Sequence, residues 1–317
     1  MRKIEALTLI QIMERFSDEA TARNYLEKLR WPNGAACPKC GCAEIYKLTP
    51  KPDSKRPCRK GLYACKYCRK QFTVTVGTIM EDSHIPLNKW LVGIFLMCSS
   101  KKGISAHQLH RMLKMTYRSA WFMCHRIRYA MSDQSMREKM FGVIEVDETY
   151  VGGKVRKGSY LREEEATGKR PAWSKYKMPV VTLVQRDGKA RSFHMKRVTE
   201  NNIREILKQH VDENSAIVTD EAKVYEKLSE DFASHESVNH GAGEYSRRGN
   251  VTTNTVEGYF SLLKRGIIGS FHHVSEKHLH RYLSEFDFRY NARKLNDGSR
   301  TELAVLGIEG KRLKYRD

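Results

Sequence analysis

The sequence predicts a multi-domain α+β protein, and three observations along its 317 residues carry that reading. Two cysteine pairs, Cys37-Pro38-Lys39-Cys40 and Cys65-Lys66-Tyr67-Cys68, are separated by 24 residues. From Pro86 to Met131 apolar residues recur at helical spacing. After Gly142 strand-like and helix-like segments alternate, with three strands first, which argues for a mixed α/β sheet. The expected organisation is therefore an N-terminal helical segment over 1–35 and a zinc ribbon over 36–78. A helix-turn-helix follows over 84–133, then a mixed α/β domain over 140–295 that contains a basic loop at 153–177. A basic C-terminal tail occupies 296–317.

The elements follow from local pattern. Leu7, Ile10, Met13, Ala20, Tyr25, Leu26 and Leu29 fall at helical spacing, interrupted at Ser17-Asp18, and Pro32-Asn33-Gly34 ends the run. Helices are expected at 87–99, 105–113 and 117–131. In the second half, strands are expected at 143–146, 179–184, 190–195 and 216–218, and helices at 202–211, at 221–228 and from Asn254 onward. The first of these strands is apolar except for Glu145. Between the first two lie eight Lys/Arg and three Glu over Gly153–Lys177, a pattern that reads as a solvated loop.

The paired CxxC knuckles can converge four thiolates, Cys37, Cys40, Cys65 and Cys68, on one tetrahedral structural Zn²⁺ with Zn–S near 2.3 Å. Gly41 and Arg69-Lys70 sit where a tight turn returns the chain. Cys42 and Cys58 are alternative ligands by position, whereas Cys98 and Cys124 fall in apolar helical patterns and read as small core residues.

Charge narrows the partners. With 57 Lys+Arg against 37 Asp+Glu the formal net charge is +20, which suits a polyanion. The longest apolar run, Trp90–Cys98, is nine residues, against about 20 for a membrane span. The N-terminus lacks a signal-peptide pattern, so reduced, metal-binding cysteines and a cytoplasmic, nucleoid-associated location are expected. In the helix-turn-helix segment, Tyr117, Arg118, His125, Arg126 and Arg128 are DNA-facing candidates and Ala120, Cys124 and Ile127 core-facing ones. The alternative is an ordinary helical bundle.

Three acids stand out. Asp147 follows the first apolar strand, Asp220 follows the short strand 216–218, and Glu257 lies in the first turn of a helix. Carboxylates at strand ends are costly unless a ligand meets them, and three can supply oxygen ligands to two Mg²⁺ (or Mn²⁺) ions about 4 Å apart. Each also has a purely local reading: Asp220 as a helix cap, and Asn254 with Glu257 as a capping box. His235, His240 and Glu244 lie between the second and third acids; a place near the metals is one reading and packed or surface residues the default one. Arg156, Lys157, Lys169, Arg170, Lys175 and Lys177, with Trp173, offer loop contacts to DNA or a solvated charge run.

The cysteine pairs, Val146-Asp147-Glu148-Thr149-Tyr150-Val151-Gly152-Gly153-Lys154, Val218-Thr219-Asp220-Glu221 and Asn254-Thr255-Val256-Glu257-Gly258-Tyr259-Phe260-Ser261-Leu262-Leu263-Lys264-Arg265-Gly266 together carry a resemblance. It continues through His278-Leu279-His280-Arg281-Tyr282 and Glu285-Phe286-Asp287-Phe288-Arg289-Tyr290-Asn291. The chain resembles the DDE transposases of bacterial insertion sequences that carry an N-terminal zinc ribbon. The resemblance implies a ribonuclease-H-like catalytic domain, with Asp147, Asp220 and Glu257 as the catalytic, Mg²⁺-binding acids. The 36 residues between Asp220 and Glu257 suit that class. It also implies that Lys264, two helical turns beyond Glu257, meets a phosphate near the element end, with Arg265 beside it. The implied activity is cleavage at the terminal inverted repeats and transfer of the 3′-hydroxyl ends into target DNA, by at least a dimer on double-stranded DNA. A zinc-ribbon regulator, or a metal-dependent nuclease without strand transfer, are the rival readings.

Overall fold

Side-chain caps start the N-terminal helices where the sequence places them. A computed structural model describes residues 8–49, 59–132, 138–152, 177–238 and 251–314. Thr8 and Gln11 form a capping box on α1 (Leu9–Arg15). Asp18 then accepts from Thr21 N at 2.8 Å to begin α2 (Glu19–Arg30), so the expected interruption is a new N-cap. The ribbon strands β1 (Ile45–Lys47), β2 (Tyr63–Cys65) and β3 (Gln71–Phe72) form an antiparallel sheet in that order. Helix α3 (Leu87–Ser99) is apolar nearly all round and buried from Trp90 to Cys98 apart from Val92, the pattern of a central helix. Ser105 caps α4 (Ala106–Met112), and Thr116 caps α5 (Tyr117–Met131).

The chain clusters into two units, Met1–Ser132 with Leu295–Asp317, and Asp133–Lys294. The first unit corrects two expectations. Residues 296–317 do not form a simple basic tail, because Asp297–Leu306 is a helix packed on α3 and α5. Its cations serve helix ends: Arg300 donates to Cys98 O at 2.8 Å, and Lys311 donates to Ala130 O at 3.0 Å and Ser132 O at 2.7 Å. They satisfy carbonyls that the last turns of α3 and α5 leave without an intrahelical partner. The second correction concerns α5, whose side chains from Met123 to Arg128 are all buried. Ala120, Cys124 and Ile127 face the core as expected, but His125, Arg126 and Arg128 are also interior, at 0%, 6% and 2% exposure. Arg126 donates to the Ile79 and Glu81 carbonyls at 2.8 and 2.9 Å and lies 4.5 Å over the Phe122 ring. Its long side chain answers a local carbonyl deficit, so it is not presented to DNA. Tyr117 and Arg118, at the N-terminal end of α5, remain exposed.

Gly307 lies close against the backbone at the end of α5. A Cβ there would stand 2.4 Å from Ala130 O, a backbone atom that cannot swing aside. Gly307→Ala is expected to destabilise this unit by about 1–3 kcal/mol, read as a lowered thermal midpoint. An unchanged midpoint would show that the contact relaxes at no cost.

In the second unit, β4 (Val143–Val151), β5 (Met178–Gln185), β6 (Ala190–His194), β7 (Ala216–Asp220) and β8 (Ser234–Val238) form one sheet in the order β6-β5-β4-β7-β8. The first three are antiparallel, while β7 runs parallel to β4 and β8 parallel to β7. Alternation along β4 and β5 sorts their side chains onto two faces. Val151, Val180 and Val184 pack under α7 (Asn254–Gly266) and α8 (Glu276–Asn291). Ile144, Val146, Val181 and Leu183 pack under α6 (Glu200–His210) and a 3₁₀ helix, Lys223–Glu230. The β6 edge is covered by α8. Asp287 accepts from Ser192 N at 2.9 Å, and the Asn291 side chain bonds both Ala190 N and Ala190 O, at 2.7 and 3.1 Å. Two side chains thereby occupy backbone groups that an open edge would expose.

Candidate active site

Asp147 is the fifth residue of a nine-residue strand, not a strand end as expected. The parallel ladder to β7 covers only Val143, Ile144 and Glu145, whereas β5 pairs the strand through Val151. The apolar run therefore stops where the strand loses one neighbour, although the strand itself continues. Extending the Glu145–Val218 register by two residues sets Asp147 level with Asp220, on the same face and at the mouth of the parallel pair. That face is the one covered by α7, whose first turn carries Glu257.

Asp147 senses the other two acids. Burial raises the Asp147 carboxyl to about 7, and Asp220, Glu148 and Glu257 add repulsion that its hydrogen bond from Glu148 N (2.7 Å) offsets in part. Such a cluster of like charges suits a divalent cation, which would favour the ionised form that burial opposes. The acids are not gathered as tightly as the cysteines, the group among the described residues whose ligand atoms all lie within 4.8 Å of one another.

The local readings of Asp220 and Glu257 resolve differently. Asp220 Oδ1 accepts from Ala222 N at 3.1 Å, which shapes a turn, while the 3₁₀ helix beyond it begins without a side-chain cap. The capping-box reading of Asn254 and Glu257 does not hold, because the N-cap is Thr253 and its side chain makes no cap bond. The cap comes from β4. Glu145, wholly buried, accepts from Thr255 N at 2.8 Å and Val256 N at 3.0 Å. Glu257 is thus released from capping; it accepts from Thr253 Oγ1 at 3.3 Å and lies on an exposed helix face with Ser261 and Lys264.

Lys264 and Lys177 line an open groove of about 400 Å³ with Tyr150, Val151, Gly152 and Ile268. Arg265 is exposed, its Nε donating to Ser261 O at 3.1 Å. Strand alternation puts Glu148 on the opposite side of β4 from Asp147, where the Tyr225 hydroxyl donates to its carboxylate, and Glu148 also lines the groove with Lys264. His235 bonds Thr219 Oγ1 at 2.9 Å and pairs in register with Ile217, which puts it on the face opposite Asp220 as a packed residue. His240, Glu244, Cys58, Trp173 and the loop cations Arg156, Lys157, Lys169, Arg170 and Lys175 lie outside the described residues. Sequence reasoning missed Glu145, Arg186, Glu148 and Tyr225 as contributors; the one available signal was Glu145 as a lone charge in an apolar strand.

In the first unit, the four cysteines meet as expected. Cys37–Cys68 and Cys40–Cys65 Sγ atoms are each 3.6 Å apart, close to the edge of about 3.8 Å that a tetrahedron with Zn–S near 2.3 Å requires. Gly41 and Arg69 turn the knuckles at φ +73° and +57°. The Cys68 backbone N–H, foremost, holds the Cys65 thiol down to about 6, toward the thiolate that binds metal. Cys42 is not one of the four; its sulfur accepts from Glu44 N at 3.3 Å. Cys98 and Cys124 are core residues.

Comparison with known proteins agrees with both halves. A transposase zinc-ribbon domain matches residues 17–71, and an ISXO2-like transposase domain matches residues 139–291. An uncharacterized protein in transposable element ISH50 of Halobacterium salinarum is 30% identical over 283 residues, covering 87% of this chain and 92% of that protein. The four-cysteine ribbon supports one structural Zn²⁺. No helix among the described residues is long and apolar enough to cross a membrane.

Proposed function

The chain belongs to the ISXO2-like transposase family, and from that premise we propose that it cleaves and joins DNA with Asp147, Asp220 and Glu257. One observation carries the assignment: the β4–β7 register, extended by two residues, sets Asp147 level with Asp220 on the sheet face under α7, whose first turn carries Glu257. The sheet order, with the first acid on the first strand of the domain and the second at the end of the fourth, supports a ribonuclease-H-like reading. Two Mg²⁺ or Mn²⁺ ions held by these carboxylates would supply activation of the attacking oxygen and stabilisation of the leaving one.

The chain's own residues prepare the rest. Lys264 and Lys177 line the groove along the end of β4 beyond Asp147 and offer positive charge to a phosphodiester backbone. Arg265 adds charge on the same helix, and Arg118 and Tyr117 offer contacts at the N-terminal end of α5. Arg126 and Arg128 are withdrawn from that role by their burial. In the reaction, water attacks the phosphorus at the element end and breaks its bond to the 3′-oxygen. The freed 3′-hydroxyl then attacks target DNA in line, displacing another 3′-oxygen, without a protein–DNA covalent intermediate. Two ends must be brought together, so the acting species is at least a dimer on double-stranded DNA, working in the cytoplasm with no membrane partner.

The test offers the folded protein, with Mg²⁺, a pre-cut duplex carrying the terminal repeat and a free 3′-hydroxyl, together with a second duplex. Joined product is expected. Cleavage of intact ends without joining would make the protein a nuclease, and end binding without either reaction would make it a regulator.

A further inference from the structure

Glu145 is a wholly buried acid that the reaction as described above does not use. Its Oε2 accepts from Thr255 N and Val256 N, at 2.8 and 3.0 Å. Its Oε1 accepts from Thr255 Oγ1 and Arg186 Nε, both at 2.8 Å. Arg186 in turn donates from its terminal nitrogen to Thr252 O at 2.8 Å, and its backbone N–H bonds Val143 O at 3.0 Å. One ion pair therefore grips both sides of the turn that launches α7 and ties it to β4, two residues before Asp147.

We propose that Glu145, with Arg186, is a positioning residue that sets Glu257 against Asp147 by capping α7 from the neighbouring strand. This rests on the reading of Glu257 as a metal-binding acid. The physics favours a buried carboxylate for the task. A Thr or Asn cap would satisfy backbone N–H groups from within the helix itself, leaving the helix able to shift along the sheet. A cap rooted in β4 converts those bonds into a fixed distance between two elements. The anion also meets the positive end of the helix dipole, and Arg186 neutralises what burial would otherwise penalise. Glu145 and Asp147 point to the same face of β4, so the acid that receives the metal and the acid that fixes the helix share one rigid segment. Second-layer groups of this kind change metal affinity about 10- to 100-fold.

The experiment compares full-length wild type, Glu145→Ala, Glu145→Gln, Arg186→Met and Glu257→Gln, with zinc retained in the ribbon. Two readouts are taken: hydrogen exchange at the Thr255 and Val256 amides, and Mn²⁺ titration followed by electron paramagnetic resonance. Glu145→Ala is expected to speed exchange at both amides by about tenfold or more, and to weaken the Glu257-dependent Mn²⁺ site by about 10- to 100-fold. Glu145→Gln, which keeps one acceptor for the helix, should show a smaller loss, and Arg186→Met, which keeps both acceptors but leaves the buried carboxylate without its neutralising partner, should also weaken the site. They carry the test if Glu145→Ala fails to fold. A purely structural role would lower the melting temperature and leave Mn²⁺ affinity untouched. If Glu257→Gln weakens Mn²⁺ binding while the folded Glu145 and Arg186 variants bind as wild type, the positioning role is overturned. If Glu257→Gln itself changes nothing, the metal reading of Glu257 is overturned, and this inference falls with it.

Discussion

Replacing Asp147 with Asn is expected to abolish cleavage and joining while making the metal-free catalytic unit more stable at pH 8. Loss of activity should reach about a thousandfold or more, since a carboxylate that holds a catalytic metal would supply several kcal/mol of transition-state stabilisation. The gain in stability follows from the carboxyl's environment. Burial and the Asp220, Glu148 and Glu257 charges raise its folded pKa to about 7, against an ordinary value of 3.8. A raised folded pKa means that the folded state holds its proton longer than the unfolded chain. The site's contribution is therefore complete below about pH 4 and is lost progressively as pH rises to about 7. The difference amounts to about 2–4 kcal/mol, or a midpoint shift of about 5 °C or more in a unit of this size. Asn keeps an acceptor for the Glu148 N–H and carries no charge, so it escapes the loss.

Melting curves of both proteins at pH 4 and pH 8, without divalent cations other than the ribbon's zinc, check this directly. The curves should coincide at pH 4 and separate at pH 8, with the variant higher. Added Mn²⁺ should reverse the order, because only the wild type gains ligand stabilisation. Coincident curves at pH 8 would show that the carboxylates are not strained together, and retained cleavage would remove Asp147 from the chemistry.

The second large effect concerns the ribbon. Cys65→Ser should eliminate the single zinc, and with it the three-stranded sheet, since the sheet is only three, three and two residues long. Its small core depends on Cys37, Cys65 and Phe72. Metal binding in such small modules contributes on the order of 10 kcal/mol of folding free energy, far beyond what so little buried surface supplies. Metal analysis of the purified protein should give one zinc per chain for wild type and for Cys42→Ser, and none for Cys65→Ser. Limited proteolysis should then cut the variant within 36–78. A Cys42→Ser protein without zinc would reassign the fourth ligand, and a Cys65→Ser protein that keeps both zinc and protection would remove Cys65 from the set.

Local chemistry made much of this protein legible before any coordinates. Helices α3, α4 and α5 fall within a residue of their expected bounds, because the apolar spacing along each is unbroken and Ser105 and Thr116 cap the last two through nearby amides. The zinc ligands were equally legible, since two short knuckles define their own geometry. Strand β8 was not: Ser-His-Glu-Ser-Val has one apolar residue and gains its conformation from pairing with β7. The surface of α5 was misread for a related reason. An arginine looks the same in sequence whether it meets a phosphate or, like Arg126, two carbonyls from a segment some 45 residues away.

The acids divide along the same line. Asp147, Asp220 and Glu257 could be named from sequence only as a set, through the 36-residue gap, Lys264 two helical turns on and the resemblance that the surrounding motifs carry. What the sequence by itself determined was thus which groups are present and which local elements carry them. Only the tertiary structure decided that Asp147 and Asp220 share a level in adjacent strands, and that Glu257 is not spent on capping its own helix. The reason is the range of the interactions. Helix caps and cysteine knuckles close within a few residues, whereas the cap from Glu145 to Thr255 spans 110 positions, a pairing that no local pattern records.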